Sequence, residues 1–291
     1  MMTQDSLDRQ PRVLIFGGRG FMGQNLLSIY PGADAPDVDI ADAAAVAAAL
    51  DAARPEVVVN CAGKTGRPNI DWCETHKEET LRSNLTGALV VLHECVRREL
   101  YLVHLSSGCI YEGTGGGDGF TEDDPPNYMG SFYSRTKAWA DQVLREFPVL
   151  LLRLRMPFDG SLSERNLIMK LRKYRRVLTE PNSITYLPDF FGVLEQLVAR
   201  RAKGIRNVVN EGAVSPFDIM TRYKELVDPG HTFVPLPLTQ LGEVAAAGRS
   251  NCILSTARLR AEGLQLPPVG ESLDRALRAL AVRLHESAVP C

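Results

Sequence analysis

The 291-residue chain has no C-x-x-C pair among its six cysteines, Cys61, Cys73, Cys95, Cys109, Cys252 and Cys291, which argues against a zinc site or a disulfide framework and leaves them as free thiols. Its five histidines lack metal-ligand spacing, and His104, inside an apolar run, reads as a packed residue. No apolar stretch has the length of a membrane span, and no repeat of fixed period is present. Charge of one sign is not in excess: the formal net charge of −2 gives no pull toward nucleic acid or an anionic membrane. Any anionic ligand must be held by local charge. Met1 to Arg12 is polar without the apolar centre of a signal peptide and reads as a loose tail, so the cytoplasm is the default location.

What is present is a chain long enough for one large α/β domain, or a domain with a smaller lobe. In its first half, short β-branched runs alternate with helical patterns, as in βαβ units around a parallel sheet. The spacing predicts strands at Arg12 to Phe16, Glu56 to Asn60, Tyr101 to Leu105 and Val149 to Leu154. Helices are expected at Phe21 to Tyr30, Ala41 to Ala53, Glu74 to Arg98 and around Tyr133 and Lys137. Asp37 to Ile40 is the one candidate for a strand between the first two helices. The expected fold is a Rossmann-type, doubly wound parallel α/β sheet, mainly residues 1–155, with a smaller C-terminal substrate-binding lobe, mainly 156–291. A segment near 205–225, opening with a strand at Ile205 to Val209, is expected to return to the sheet. Gly113 to Asn127 reads as a mobile loop, Val234 to Pro237 as an irregular connection, and Glu271 to Glu286 as an outer helix.

Directly after the first strand stands Gly17-Gly18-Arg19-Gly20-Phe21-Met22-Gly23, a G-x-x-G-x-x-G run that opens a helix. Glycines there let the backbone approach a pyrophosphate and aim the helix N-terminus at it. Arg19 either pairs with a 2′-phosphate, which favours NADPH over NADH, or is an exposed arginine. Asp39 stands at about the distance where an acidic residue meets the adenosine part of such a cofactor. Cys61-Ala62-Gly63 ends the next strand with small residues that admit a ligand or simply a tight turn.

Tyr133 and Lys137 stand four residues apart, close enough to share one helix face. A held ammonium favours the phenolate, so the pair is expected to bring a phenol that titrates near 10 in water toward usable proton exchange. The spacing alone also fits an aromatic packed beside a solvated lysine.

Taken together with Thr65-Gly66-Arg67-Pro68-Asn69-Ile70-Asp71-Trp72-Cys73-Glu74, Gly108-Cys109-Ile110-Tyr111-Glu112, Gly130 to Lys137, Arg155-Met156-Pro157 and Pro181-Asn182-Ser183-Ile184-Thr185, these residues resemble the extended short-chain dehydrogenase/reductases. Within them the chain is similar to the dTDP-4-dehydrorhamnose reductase branch, above all its nucleotide-rhamnose epimerase-reductases. The resemblance implies a nucleotide-diphospho-sugar substrate and NADPH or NADH as cofactor. It implies that Tyr133 donates a proton at C4, Lys137 holds the ribose, Ser107 binds the carbonyl and Asn84 supports the site. It also implies that Cys109 and Lys170 are the base and acid of 3,5-epimerisation. Cofactor contacts are expected from Gly17, Arg19, Gly20, Phe21, Met22, Gly23, Asp39, Ile40, Cys61, Ala62, Gly63 and Met156. Substrate contacts are expected from Arg67, Asn69, Asn166, Asn182 and Arg206, beside Ser107 and Cys109. Lys64 departs from the apolar residue expected next to Thr65. Reduction without epimerisation, and a non-catalytic role like that of methionine adenosyltransferase β-subunits, are the alternatives; a homodimer follows by analogy only.

Overall fold

The computed structural model describes residues 11–288; the first ten residues of the expected tail, and Cys291, lie outside the described residues. Its strands are β1 (Val13–Phe16), β2 (Val57–Asn60), β3 (Tyr101–Ser107), β4 (Leu150–Leu154), β5 (Arg176–Leu178), β6 (Gly204–Asn207) and β7 (Val234–Leu236). The helices are α1 (Phe21–Ile29), α2 (Ala43–Ala53), α3 (Trp72–Thr75), α4 (Lys77–Leu81), α5 (Gly87–Arg97), α6 (Phe132–Leu144), α7 (Leu167–Leu171), α8 (Leu187–Ala199), α9 (Pro216–Leu226), α10 (Ala257–Ala261) and α11 (Val269–Ala288).

Strands β1, β2, β3, β4 and β6 form a parallel sheet in that order. The first four are buried along their whole length, which is why their sequences are apolar runs rather than alternations. Alternate residues nevertheless divide between two cores. Val13, Ile15, Val57, Val59, Leu150 and Leu152 meet Leu26 of α1 and Phe190, Leu194 and Leu197 of α8. Leu14, Phe16, Val58 and Leu151 meet Val46 and Leu50 of α2, Val91 and Leu92 of α5, and Ala140 and Leu144 of α6. This is the expected Rossmann-type architecture, with helices on both faces.

Three local expectations are corrected. Asp37 to Ile40 is not a strand: only Asp34 pairs with β1, exchanging bonds with Val13 and Ile15, because the chain turns away after one bridge. The long helix expected from Glu74 breaks at His76 and again in a π-helical turn at Arg82–Thr86, which contains Asn84. Val234–Leu236 is a strand, paired in parallel with β5.

The chain first leaves the sheet after Arg155, but α8, β6 and α10 return to it, so both parts interleave. Helix α9, inside the segment expected to return, packs with α7 and α11 in the smaller lobe around Ile168, Ile219, Tyr223 and Leu277. Residues 113–127 are fastened rather than free. Gly113 and Phe120 bridge to Cys252 and Leu254, and buried Glu122 accepts from Asn207 N at 2.9 Å. Among the described residues, no helix is long and apolar enough to cross a membrane.

Candidate active site

The glycine loop between β1 and α1 is shaped by what larger residues would hit. Gly17 has φ +88°, and a Cβ there would stand 2.6 Å from Ala62 N; one on Gly23 would stand 2.3 Å from Gly17 O. Both glycines let α1 and the end of β2 close on the loop. Helices α2, α6, α7 and α9 are capped by the side chains of Asp42, Ser131, Asn166 and Ser215, whereas α1 starts at Gly20 with no side-chain cap and no acidic residue in its first turn. The first-turn N–H groups over Phe21, Met22 and Gly23 are therefore left for a ligand. Beside them opens a cavity of about 500 Å³, whose lining includes Arg19, Arg67, Asp159 and Arg165. A pyrophosphate fits this uncapped, basic setting.

Around it the expected cofactor residues divide by role. Arg19 pairs with Asp37, and both are largely exposed, so the contact is weak. Asp39 accepts from Ala41 N at 3.0 Å and Arg82 Nε at 2.9 Å; the backbone bond first, then Arg82, hold its carboxyl below the usual range. Ile40 turns its side chain into the core against Gly87. The Cys61 thiol donates to Phe16 O, and burial pushes it up to about 12, so it is a packed thiol. Ala62 donates its N–H to Asn60 Oδ1, and a Cβ on Gly63 would stand 3.2 Å from Asn84 Oδ1.

The groups expected to transfer protons in reduction come from the end of β3 and the first turns of α6. Ser131 caps α6 by accepting from Ser134 N, and Phe132 N donates to Glu74 Oε1 at 2.6 Å. Lys137 is buried and donates to Leu105 O at 3.2 Å; loss of water pushes its ammonium down to about 8, against the pull of Asp141 and Cys109. Tyr133 departs from the expectation that Lys137 lowers it. Burial first and Cys109 second push its phenol upward, and a hydrogen bond from Ser107 only offsets this. A phenolate with its water removed is costlier than the available cation can repair, so the surroundings favour the protonated phenol. Asn84 supports the site indirectly: its side chain grips both Lys64 N and Lys64 O and reaches Thr136 on α6. Lys64 itself lies over the Trp72 ring at 5.6 Å.

On the other side, Ser107 Oγ accepts from Cys109 N at 3.1 Å, and Arg155 Nη1 donates to Cys109 Sγ at 2.7 Å. Asn182 is buried and holds Arg155 and Cys252 N rather than facing open space. Lys170 is half-buried on α7, pushed down by burial and then by Arg165. Asn166, expected at the substrate, is buried as the cap of α7: its amide donates to Asp159 O and Ser161 O, both at 2.9 Å, and its oxygen accepts from Ile168 N at 3.3 Å. Asn69 accepts from Asp71 N within its own loop. Met156 packs on the small-lobe core and has φ 43°. Arg206 is not brought to the site; it pairs with Glu262 and donates to Ile205 O.

Residues missed by the sequence reading are Arg155 as a partner of Cys109, Tyr128, whose buried hydroxyl has no partner, and Arg165. A signal for Arg155 was available: an arginine just past the carboxyl end of a parallel strand stands where ligands bind in such sheets.

The family model described as RmlD substrate binding domain matches residues 11–282. The chain belongs to that family. It is 38% identical over 239 residues to the bifunctional dTDP-4-dehydrorhamnose 3,5-epimerase/dTDP-4-dehydrorhamnose reductase of Arabidopsis thaliana, covering 80% of this chain and 79% of that protein. It is 36% identical over 276 residues to the Arabidopsis trifunctional UDP-glucose 4,6-dehydratase/UDP-4-keto-6-deoxy-D-glucose 3,5-epimerase/UDP-4-keto-L-rhamnose-reductase RHM3, covering 91% of this chain but 42% of that protein. Among solved structures it resembles the L780 UDP-rhamnose synthase of Acanthamoeba polyphaga mimivirus, with TM-score 0.88 and 28% identity over 93% of this chain and 100% of that one. These findings bear out the resemblance expected from the motifs.

Proposed function

We propose that the protein is an NAD(P)H-dependent nucleotide-sugar 3,5-epimerase/4-reductase, converting a UDP- or dTDP-linked 4-keto-6-deoxyglucose to the L-rhamnose nucleotide. The observation that carries this reading is Cys109 beside Ser107 and Tyr133, a proton-removing group and a proton-donating group around one position. The bound cofactor supplies the hydride for C4. Gly20 to Gly23 hold its pyrophosphate, and Lys137 holds its ribose.

Protons beside the ketone are removable because the electron pair left behind delocalises onto O4. In the reading advanced here, Cys109 as thiolate takes the proton from C3 or C5, and Lys170 as ammonium returns one to the opposite face. Solvent then resets the thiol and the amine. Ser107 holds O4 throughout, and Tyr133, kept protonated by burial, gives its proton to O4 in the reductive step. The names of the relatives include both dTDP and UDP sugars, so each 4-keto sugar is assayed with each cofactor and the product identified by NMR.

The deciding test is solvent-deuterium incorporation. Cys109→Ala is expected to block uptake at C3 and C5 while reduction of a pre-epimerised substrate continues. Equal uptake by variant and parent would leave a reductase alone.

A further inference from the structure

We propose that Arg155 is a positioning residue for the proton-removing half of the site, its guanidinium holding the Cys109 sulfur and supplying the counter-charge when that sulfur gives up its proton. The proposal rests on the epimerase reading above and deepens it.

The contrast between two neighbouring arginines carries the inference. Arg153 and Arg155 are both buried at the end of β4. Arg153 is neutralised by Asp141, with Nη2 to Oδ1 at 2.7 Å and Nε to Oδ2 at 2.9 Å. Arg155 has no carboxylate within ion-pair distance among the described residues. Its Nη2 donates to Asn182 Oδ1 at 2.5 Å and to Ser250 O, its Nη1 to Cys109 Sγ at 2.7 Å, and its Nε has no partner. A buried cation left without an anion costs several kcal/mol, so such a site asks for a negative charge. Two thiols of its surroundings can take one, Cys109 and Cys252; the Cys109 sulfur accepts from the guanidinium at 2.7 Å, whereas the Cys252 thiol is spent on Gly108 O.

The backbone around the pair is arranged for this contact. Gly108, next to Cys109, lets Leu254 close on this turn, where a Cβ would stand 2.7 Å from Leu254 Cδ1, and the Arg155 stem lies alongside at contact distance. Met156 adopts φ 43°, a left-handed conformation that a non-glycine residue takes only under strain, and turns the chain out of β4 directly after the arginine. Asn182 is fixed by Glu180 O and Asn251, so the guanidinium is gripped from a segment that is itself held. The other groups that sense Cys109 electrically are Tyr128, Tyr133, Lys137 and Cys252. Of these Lys137 alone is cationic, and its ammonium is committed to Leu105 O. Burial works against the Arg155 charge, while Cys109 first and Cys252 next more than restore it.

The test uses the full chain with Arg155→Met, which keeps the length and removes the charge, and Arg155→Lys, which keeps the charge. Alkylation by iodoacetamide proceeds through the thiolate, so the rate at Cys109, read by peptide mass spectrometry without ligand, is expected to fall about tenfold or more in Arg155→Met and recover in Arg155→Lys. With the 4-keto sugar, deuterium uptake at C3 and C5 is expected to fall at least about tenfold more than reduction of the pre-epimerised substrate. Unchanged alkylation of Cys109 in Arg155→Met overturns the proposal. So does an equal fall of exchange and reduction without rescue by lysine, which is the pattern of a merely structural residue. Should the parent protein show no exchange at all, the epimerase reading fails, and the alkylation rates still decide whether Arg155 governs Cys109.

Discussion

The two halves of the site are built in different ways. Ser107, Tyr133 and Lys137 sit on the end of one strand and the start of one helix, so two adjoining regular elements position the whole reductive group. The surroundings of Cys109 come from three separated places: Arg155 after β4, Asn182 in the smaller lobe, and Ser250 with Cys252 in the crossing segment before α10. The first arrangement needs only neighbouring elements of the sheet. The second exists only when the smaller lobe is packed against the sheet, because Asn182 and the segment of Ser250 and Cys252 reach Arg155 and Gly108 from outside it.

The largest expected effect separates the halves from the reductive side. Tyr133→Phe is expected to slow reduction about 100- to 10,000-fold, the usual contribution of a positioned proton donor, while deuterium still enters at C3 and C5. If exchange disappears with reduction, the halves are not separable. A smaller effect is expected from pH. The Lys137 ammonium is lost as pH rises through about 8, below the ordinary lysine range, because burial disfavours the charge. Reductive kcat/KM, which reports groups of the free enzyme, should therefore fall about tenfold per unit above that pH. A profile that stays flat well into the alkaline range would show that the charge is not needed.

Two further changes locate the edge of the sugar side. Asn166→Ala removes a cap and leaves Asp159 O and Ser161 O without their donor. It should cost about 1–2 kcal/mol, seen as a lower Tm, with KM for the sugar nucleotide changed by less than about twofold. A KM raised tenfold instead would restore Asn166 as a substrate contact. The smallest effect is expected from Arg206→Ala, because that side chain is spent on Glu262; titration with the sugar nucleotide should give the parental Kd.

Much of this was legible in the chain. The glycine run, the Tyr133 and Lys137 spacing, Ser107 and the buried strands are local patterns, and each depends on residues within a few positions of one another. Asn166 and Arg206 misled because an asparagine before a short helix and an arginine in a strand look the same whether they face a ligand or a partner within the fold. The second strand failed because a one-residue bridge at Asp34 leaves no apolar run to read. The π-helical turn at Asn84 is equally silent, since its sequence is ordinary helix.

By itself, then, the sequence determined the sheet, the glycine loop that opens α1, and which residues are candidates for proton transfer. Only the tertiary structure decided their charge states and neighbours. Whether Tyr133 is held protonated, and which charge stands beside Cys109, depends on how much water is excluded and on which distant side chains close the site. Burial and long-range pairing have no signature in residue spacing, because they arise from segments that meet only after the chain has folded.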